Sequence, residues 1–337
     1  LKEPPCAMHI GNYYLSFIKG LVTPFCSEDS FLGSLLIGQY GILTMTPAYL
    51  FGLLLPLVAG FYFLHHVLDE SRLFPRIAGY LNKPLHFLGL NGNAIVPLVL
   101  GFGCVTVALI STAILGTRRE RLIASVLLCI AVPCSAQVAI IFSFAFLLGP
   151  KYFLFYLSLI FCIFLLLGTL LNLLLPGALK PVELPAPPLQ FPDLKKIVKK
   201  TAGEAVSFLK ETAPTFLIGG IAVAILDYYN GFMILRRWFA PITVEFLRIP
   251  ENATNLFVMS IIKRDLGAAG FYSMVMNGSF TQKEILVTLI VLTLFVPCFA
   301  SQMILFRQGK ARVAVLIWLG SFAVAFAVGG LVSRLII

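Results

Sequence analysis

Apolar runs long enough to cross a bilayer recur along this chain, separated by short polar stretches. Windows of about 19–20 apolar residues fall continuously at 47–66, 122–148, 152–175, 211–229, 284–306 and 313–334. Two further apolar stretches, 94–116 and 251–276, are interrupted by "GFGC" and by "KRDLGAAG". Broken backbone at membrane depth persists only where protein or a water-filled cavity covers it. Both stretches therefore read as re-entrant or discontinuous elements, and the whole pattern predicts an all-α polytopic membrane protein.

The order of elements occurs twice. Each half holds a span, an amphipathic basic stretch (70–88 and 232–248), a broken element and a span carrying Val-Pro-Cys. A closing span follows, 152–175 or 313–334. The Val-Pro-Cys sites are "VPCSAQ" at 132–137 and "VPCFASQ" at 296–302. If the broken elements re-enter rather than cross, the two halves run in opposite directions. With 72–83, 118–121, 180–210 and 307–312 in the cytoplasm, 15 of the 25 Lys and Arg lie on that side, as the positive-inside rule expects. Inverted repeats with discontinuous helices are the layout of many secondary transporters, whose sites lie at the repeat interface. The chain then divides into a non-cytoplasmic N-terminal segment (1–46), a first repeat (47–175), a cytoplasmic linker (176–210) and a second repeat (211–337). The linker is proline-rich and then basic. Its Lys195, Lys196, Lys199 and Lys200 read as a solvated cytoplasmic turn or as contacts to anionic headgroups.

Composition supports this class. The 337 residues are 59% hydrophobic and 12% charged, with a mean hydropathy of +0.95, too apolar for a soluble domain of this length. The net charge of +10 then belongs to loops against lipid, and no nucleic-acid partner is implied. Seven cysteines include no CxxC pair, which excludes a zinc ribbon or a thioredoxin-like motif. No GxxxxGK(S/T), HExxH or GxSxG occurs, so neither a nucleotide-driven engine nor an enzyme is expected in these residues. The chain begins at Leu1, without a signal-peptide pattern, and reads as a fragment of something longer.

The candidate chemistry gathers at mid-depth. Cys134 is the thirteenth residue of the span beginning at Leu122, and Cys298 the fifteenth of that beginning at Glu284. Cys104 lies near the middle of 94–116. Each thiol has a backbone-loosening neighbour. Pro133 removes the donor that would meet the Cys129 carbonyl, Pro297 does the same for Thr293, and Gly101 and Gly103 flank the bend at Cys104. Freed carbonyls, thiols, Ser135, Ser301, Gln137 and Gln302 would form a ligand set suited to a transition metal. The competing reading is ordinary packing, with Cys as small filler and Pro as a kink, and Cys129 and Cys162 take that reading. Arg264 and Asp265, beside Lys263, are costly inside an apolar segment and must pair or face water, which makes them candidates for gating. Glu70, with Asp69 and Arg72, closes the first span as a snorkelled helix end or an ion vestibule. His65 and His66 lie one turn earlier.

Five stretches, "LDESRLFPR", "LGLNGNAIVPLVLGFGC", "RRERLIASVLLCIAVPCSAQ", "IKRDLGAAGFY" and "FVPCFASQ", follow one another in the order seen in the ferrous iron transport protein B (FeoB) family. The resemblance runs from about Gly33 to the C-terminus. It implies two opposed gate repeats, transport of Fe²⁺ as substrate across the bacterial inner membrane, and an iron route lined by Cys104, Cys134 and Cys298. Ser135, Gln137, Ser301 and Gln302 would be their neighbours. It also implies a GTPase domain as partner, in cis or in trans, alongside membrane lipid, small cytoplasmic accessory proteins and a homo-oligomer. Two departures stand out. Val105 follows "GFGC" where the family commonly has Asn or Asp, and this chain has neither the GTP-binding domain nor the further span that precede the region in relatives. The rival readings are a nucleoside or other organic-solute carrier with the same gate architecture, and a non-transporting membrane subunit that docks a GTPase.

Overall fold

The computed structural model describes residues 50–175, 177, 190–228, 231–250, 253–262, 264–278, 280–295, 298–308 and 311–336. The N-terminal segment 1–46, Lys263, Pro297 and the proline-rich part of the linker lie outside the described residues. The described chain is helical throughout: α1 Leu55–Glu70, α2 Leu73–Phe87, α3 Ile95–Gly103, α4 Val105–Ser111, α5 Arg118–Ile130, α6 Ser135–Leu174, α7 Leu194–Tyr228, α8 Gly231–Pro241, α9 Ala253–Ile262, α10 Arg264–Met276, α11 Gln282–Leu294, α12 Phe299–Gln308 and α13 Ala311–Ile336. Among the described residues, four helices are long and apolar enough to cross a membrane. They are Leu50–Glu70, Ser135–Leu174, Gln282–Gln308 taken across its break, and Ala311–Ile336. The protein is thus a multi-pass, all-α membrane protein.

By contacts the chain forms two units, Leu1–Leu64 with Lys195–Leu235, and His65–Leu194 with Arg236–Ile337. The second holds both Pro-Cys motifs and both broken elements. Within it the element order repeats. An amphipathic helix (α2, α8) leads to a pair of short helices (α3–α4, α9–α10), then an interrupted helix (α5–α6, α11–α12) and a closing helix. Both short pairs reverse on themselves. A Cβ placed on Gly101 would lie 3.8 Å from the Cβ of Ala108, seven residues on, a distance possible only if the chain folds back at Cys104. Cys104 supplies that turn with extended dihedrals (φ −145°, ψ 118°). In the second pair, the Gly267 Cα faces the Ser260 side chain and the Leu256 carbonyl. The expectation that 94–116 and 251–276 are broken elements holds, and both are helical hairpins.

Two sequence expectations are corrected. The spans 122–148 and 284–306 are not continuous. Helix α5 ends at Ile130 and α6 begins at Ser135, while α11 ends at Leu294 and α12 begins at Phe299. In the first case the cause is Pro133, which cannot donate within a helix. The basic half of the linker is not a turn, since Lys195, Lys196, Lys199 and Lys200 occupy the first turns of α7, which continues into the apolar segment 211–228. The expected boundary between 122–148 and 152–175 holds, because α6 is kinked at Gly149, at φ 74° and ψ 163°, with Pro150 next to it.

The interrupted helices start alike. Thr117 caps α5 by accepting from the Glu120 amide. Thr281 caps α11, with Glu284 bonding back to the Thr281 amide at 2.7 Å. This is the Thr-x-x-Glu capping signal, and it stands sixteen residues before Pro133 and before Pro297 alike. In the first repeat the Glu120 carboxylate is turned elsewhere. It accepts from Asn91 Nδ2 at 3.1 Å and so ties the entry of the first hairpin to α5.

Helix α11 forms the centre of this unit. Every residue from Ile285 to Leu294 is buried, as expected of a helix apolar on all sides. It packs against α13 and α6. Phe295, at its end, is ringed by Phe257, Phe322 and Phe326 at centroid distances of 5.5, 4.9 and 5.7 Å. The two repeats also exchange elements. Arm α4 of the first hairpin packs on α12 of the second repeat, and arm α10 of the second hairpin packs on α6 of the first. Such reciprocity is what a two-fold relation between repeats produces.

The hairpin contact yields a test. A methyl at position 267 would lie 1.7 Å from Ser260 Oγ and 2.9 Å from the Leu256 carbonyl, and it would displace the 2.7 Å Ser260–Leu256 hydrogen bond. Gly267→Ala is expected to lower stability by about 1–3 kcal/mol, read as a fall in Tm of the detergent-solubilised protein. Adding Ser260→Ala should restore only part of it, because the backbone carbonyl stays in place.

Candidate functional site

Each proline-broken helix exposes main-chain groups in an apolar interior, where an unmet carbonyl costs about 1–3 kcal/mol. Side chains of the opposite repeat meet them. Gln137, in the first turn of α6, donates from Nε2 to the carbonyls of Leu292 (2.7 Å) and Thr293 (3.3 Å) at the end of α11. Arg264, the first residue of α10, donates from Nη2 to the Cys129 carbonyl at the end of α5 (3.2 Å). The same guanidinium reaches the Phe295 carbonyl (3.5 Å) and, through Nη1, Gln137 Oε1 (3.0 Å). Gln137 Oε1 also accepts from the Cys134 amide at 3.1 Å. Gln137 is 5% and Arg264 7% exposed, so these bonds are shielded from water. A second tie runs from α6 to α11. The Thr293 hydroxyl donates to the Leu289 carbonyl (2.7 Å) and accepts from the Tyr156 hydroxyl (2.8 Å).

This corrects the sequence reading of the freed carbonyls. Cys129 and Thr293 do present the oxygens that Pro133 and Pro297 would release, but protein donors fill both. Gln137 cross-links the two repeats, and Arg264 joins the two breaks instead of standing alone.

The thiols sit at helix starts. Cys134 is the N-cap of α6 and forms a capping box with Gln137. Cys298 immediately precedes α12, and its carbonyl accepts from the Gln302 amide at 3.0 Å. Its Sγ lies 3.4 Å from Ser301 Oγ, and the Ser301 hydroxyl donates to the Cys298 carbonyl at 2.8 Å. Counted from each cysteine, the counterpart of Gln137 is therefore Ser301 and not Gln302. Gln302 turns the other way and donates to the Ala314 carbonyl at 2.8 Å, tying α12 to α13. Cys104 is the tip of the first hairpin, between Gly103, the buried last residue of α3, and α4. Helix α4, which follows Cys104, packs on α12, which follows Cys298. Cys104, Cys134 and Cys298 are each partly accessible, Cys129 is buried and Cys162 is exposed. Among the described residues, no three of His, Cys, Asp and Glu come together as a metal cluster.

The remaining candidates are dispersed. Ser135 is the first residue of α6, and Pro133 lies in the break before it. Glu70 ends α1 and takes part in none of the contacts just described. The side chain of Asp265 and all of Pro297 lie outside the described residues. Sequence reasoning missed Tyr156 and its pairing with the Thr293 hydroxyl. Their pairing spans 137 residues of chain, and neither lies in a motif. The Thr-x-x-Glu caps, by contrast, were present to be read.

Two repeats, two helical hairpins and two helices interrupted at Pro-Cys define a gate-type membrane protein. A family model described as "Gate: Nucleoside recognition" matches residues 51–146. The Fe(2+) transport protein A/Fe(2+) transporter FeoB fusion protein of Porphyromonas gingivalis is 24% identical over 227 residues, 65% of this chain and 26% of that protein. The Fe(2+) transporter FeoB of Helicobacter pylori (strain 26695) is 27% identical over 233 residues, and that of Methanocaldococcus jannaschii 26% over 230. These matches cover 66% and 65% of this chain, and 34% and 33% of the relatives. Two solved structures of CNTnw variants, one in an intermediate and one in an outward-facing state, cover 98% of this chain at 16% and 15% identity. They cover 87% and 84% of those chains, with TM-scores of 0.48 and 0.47. Within the gate class, the chain is similar to the FeoB transporters along about two thirds of its length. It spans about a quarter to a third of the length of the curated relatives it matches.

Gln137→Ala removes the donors to Leu292 and Thr293 and one acceptor of Arg264. The expected cost is on the order of 2–4 kcal/mol. It should appear as a lower Tm and as faster labelling of Cys134 and Cys298 by a maleimide, with Cys162 labelling unchanged.

Proposed function

We propose that this chain is the membrane core of a ferrous iron transporter of the plasma (inner) membrane, passing Fe²⁺ between its two repeats. The observation that carries the reading is the junction of the two Pro-Cys breaks by Gln137 and Arg264, with thiols at the edges of both. Relatives named as Fe(2+) transporters support the choice of metal.

Cys134 and Cys298 are the sulfur ligands of the route, and Cys104 at the hairpin tip faces the second break. Sulfur selects borderline and soft cations over Mg²⁺ or Ca²⁺. Sequential contact with one or two thiols suits a cation that must leave again, and it needs no permanent cluster of three ligands. Ser135 and Ser301 line the same starts of α6 and α12. Gly103, Pro133 and Pro297 permit the bends, and Arg264, Asp265 and Glu70 act in gating. Val105 supplies no oxygen beside Cys104, so the thiol there works with main-chain groups. A GTPase domain, in cis or in trans, drives or licenses opening, with small cytoplasmic proteins and self-association as further partners. The reading requires no nucleotide site in these residues and no enzymatic activity.

Cys134→Ser and Cys298→Ser should each reduce ferrous uptake by roughly tenfold or more. Cys162→Ser, at an exposed position, should leave uptake unchanged. The measurement is anaerobic Fe²⁺ uptake into proteoliposomes, with and without an added GTPase domain. Equal uptake by all three variants removes the thiols from the route, and uptake of nucleosides in place of iron moves the chain to the organic-solute class.

A further inference from the structure

The oxygens around Arg264 have an origin that its own helix does not explain. The Cys129 carbonyl is free because Pro133 has no N–H to offer it. The Phe295 carbonyl lies just past the end of α11, and its position is fixed by the aromatic rings around its side chain. Gln137 cannot turn its amide round, because Nε2 is held by the Leu292 and Thr293 carbonyls. Its Oε1 therefore points permanently toward the guanidinium. Three oxygens from three separate elements converge on one positive charge that arrives on a fourth, the start of α10. The oxygens are neutral and hard, and such groups hold a cation by their dipoles alone. A small cavity beside them is lined by Gln137, Ser260, Arg264, Leu292 and Phe295, with Ile140 and Ala268.

We propose that the Cys129 carbonyl, the Phe295 carbonyl and Gln137 Oε1 form a cation site that Arg264 fills with its own guanidinium, a tethered competitor that must withdraw before a mobile cation enters the gap between the two breaks. The site is distinct from the thiols and prefers oxygen-seeking divalent cations. The transport role rests on the reading above, whereas the existence of the site does not. Arg264 acts here as a plug rather than as a ligand. Because it is the first residue of α10, movement of the second hairpin tip would carry the charge out of the gap.

The test uses the full chain in detergent and Mn²⁺ as an EPR-visible probe, with thermal unfolding as the check of folding. Arg264→Ala should bind one Mn²⁺ per chain more than the unsubstituted protein. That extra ion should be displaced by free guanidinium and lost in Arg264→Ala/Gln137→Leu. A folded Arg264→Ala that binds no additional Mn²⁺ overturns the proposal, and so does additional Mn²⁺ that persists in the double variant. If Arg264→Ala does not fold, Arg264→Lys is read instead. A lysine ammonium lacks the two-armed reach of guanidinium, so Mn²⁺ should compete at a concentration on the order of tenfold lower than in the unsubstituted protein. Equal competition overturns the proposal. No iron flux enters this readout, so failure of the iron reading and failure of the site are separately visible.

Discussion

A carbonyl released by proline inside an apolar interior has to find a donor, and this requirement organises the core of the protein. The donors come from across the repeat boundary. Gln137 of the first repeat meets the end of α11 in the second, and Arg264 of the second meets the end of α5 in the first. Each break thus has freed carbonyls met by side chains of the other repeat. The reciprocal packing of α4 on α12 and of α10 on α6 follows the same logic, since the hairpins bring the breaks within reach of each other.

Such an interlock joins the two repeats through side chains and freed carbonyls. Continuous helices would have no main-chain oxygens to offer. The buried α11 and the aromatic cluster about Phe295 form the packed frame beside the two breaks. The polarizable thiols of Cys134 and Cys298 stand at the helix starts beyond each break, where backbone is already interrupted.

Much of this architecture was readable in residue pattern. Apolar length identified the spans, interrupted apolar runs at 94–116 and 251–276 identified the hairpins, and the repeated Val-Pro-Cys identified the paired breaks. The Thr-x-x-Glu signals at Thr117 and Thr281 would have fixed the start of both interrupted helices. Hydropathy erred where it averaged over a break. The windows 122–148 and 284–306 are uniformly apolar, and a sum over side chains cannot register that Pro133 lacks a donor. Between the two Val-Pro-Cys motifs, the extra residue in "VPCFASQ" shifts the register of the glutamine by one. A shift of one residue rotates a side chain by about 100° around a helix, which takes Gln302 from the break to α13.

The sequence by itself determined the class: a polytopic helical protein in two repeats, with carbonyls freed at Cys129 and Thr293 and thiols beside each break. These are local consequences of apolar length, proline chemistry and short-range spacing. Only the tertiary structure decided what the freed carbonyls meet. The partners Gln137–Leu292, Arg264–Cys129 and Tyr156–Thr293 lie 155, 135 and 137 residues apart. No local rule selects one distant donor over another. That choice is made when the repeats fold against each other and every buried polar group has to be satisfied at once.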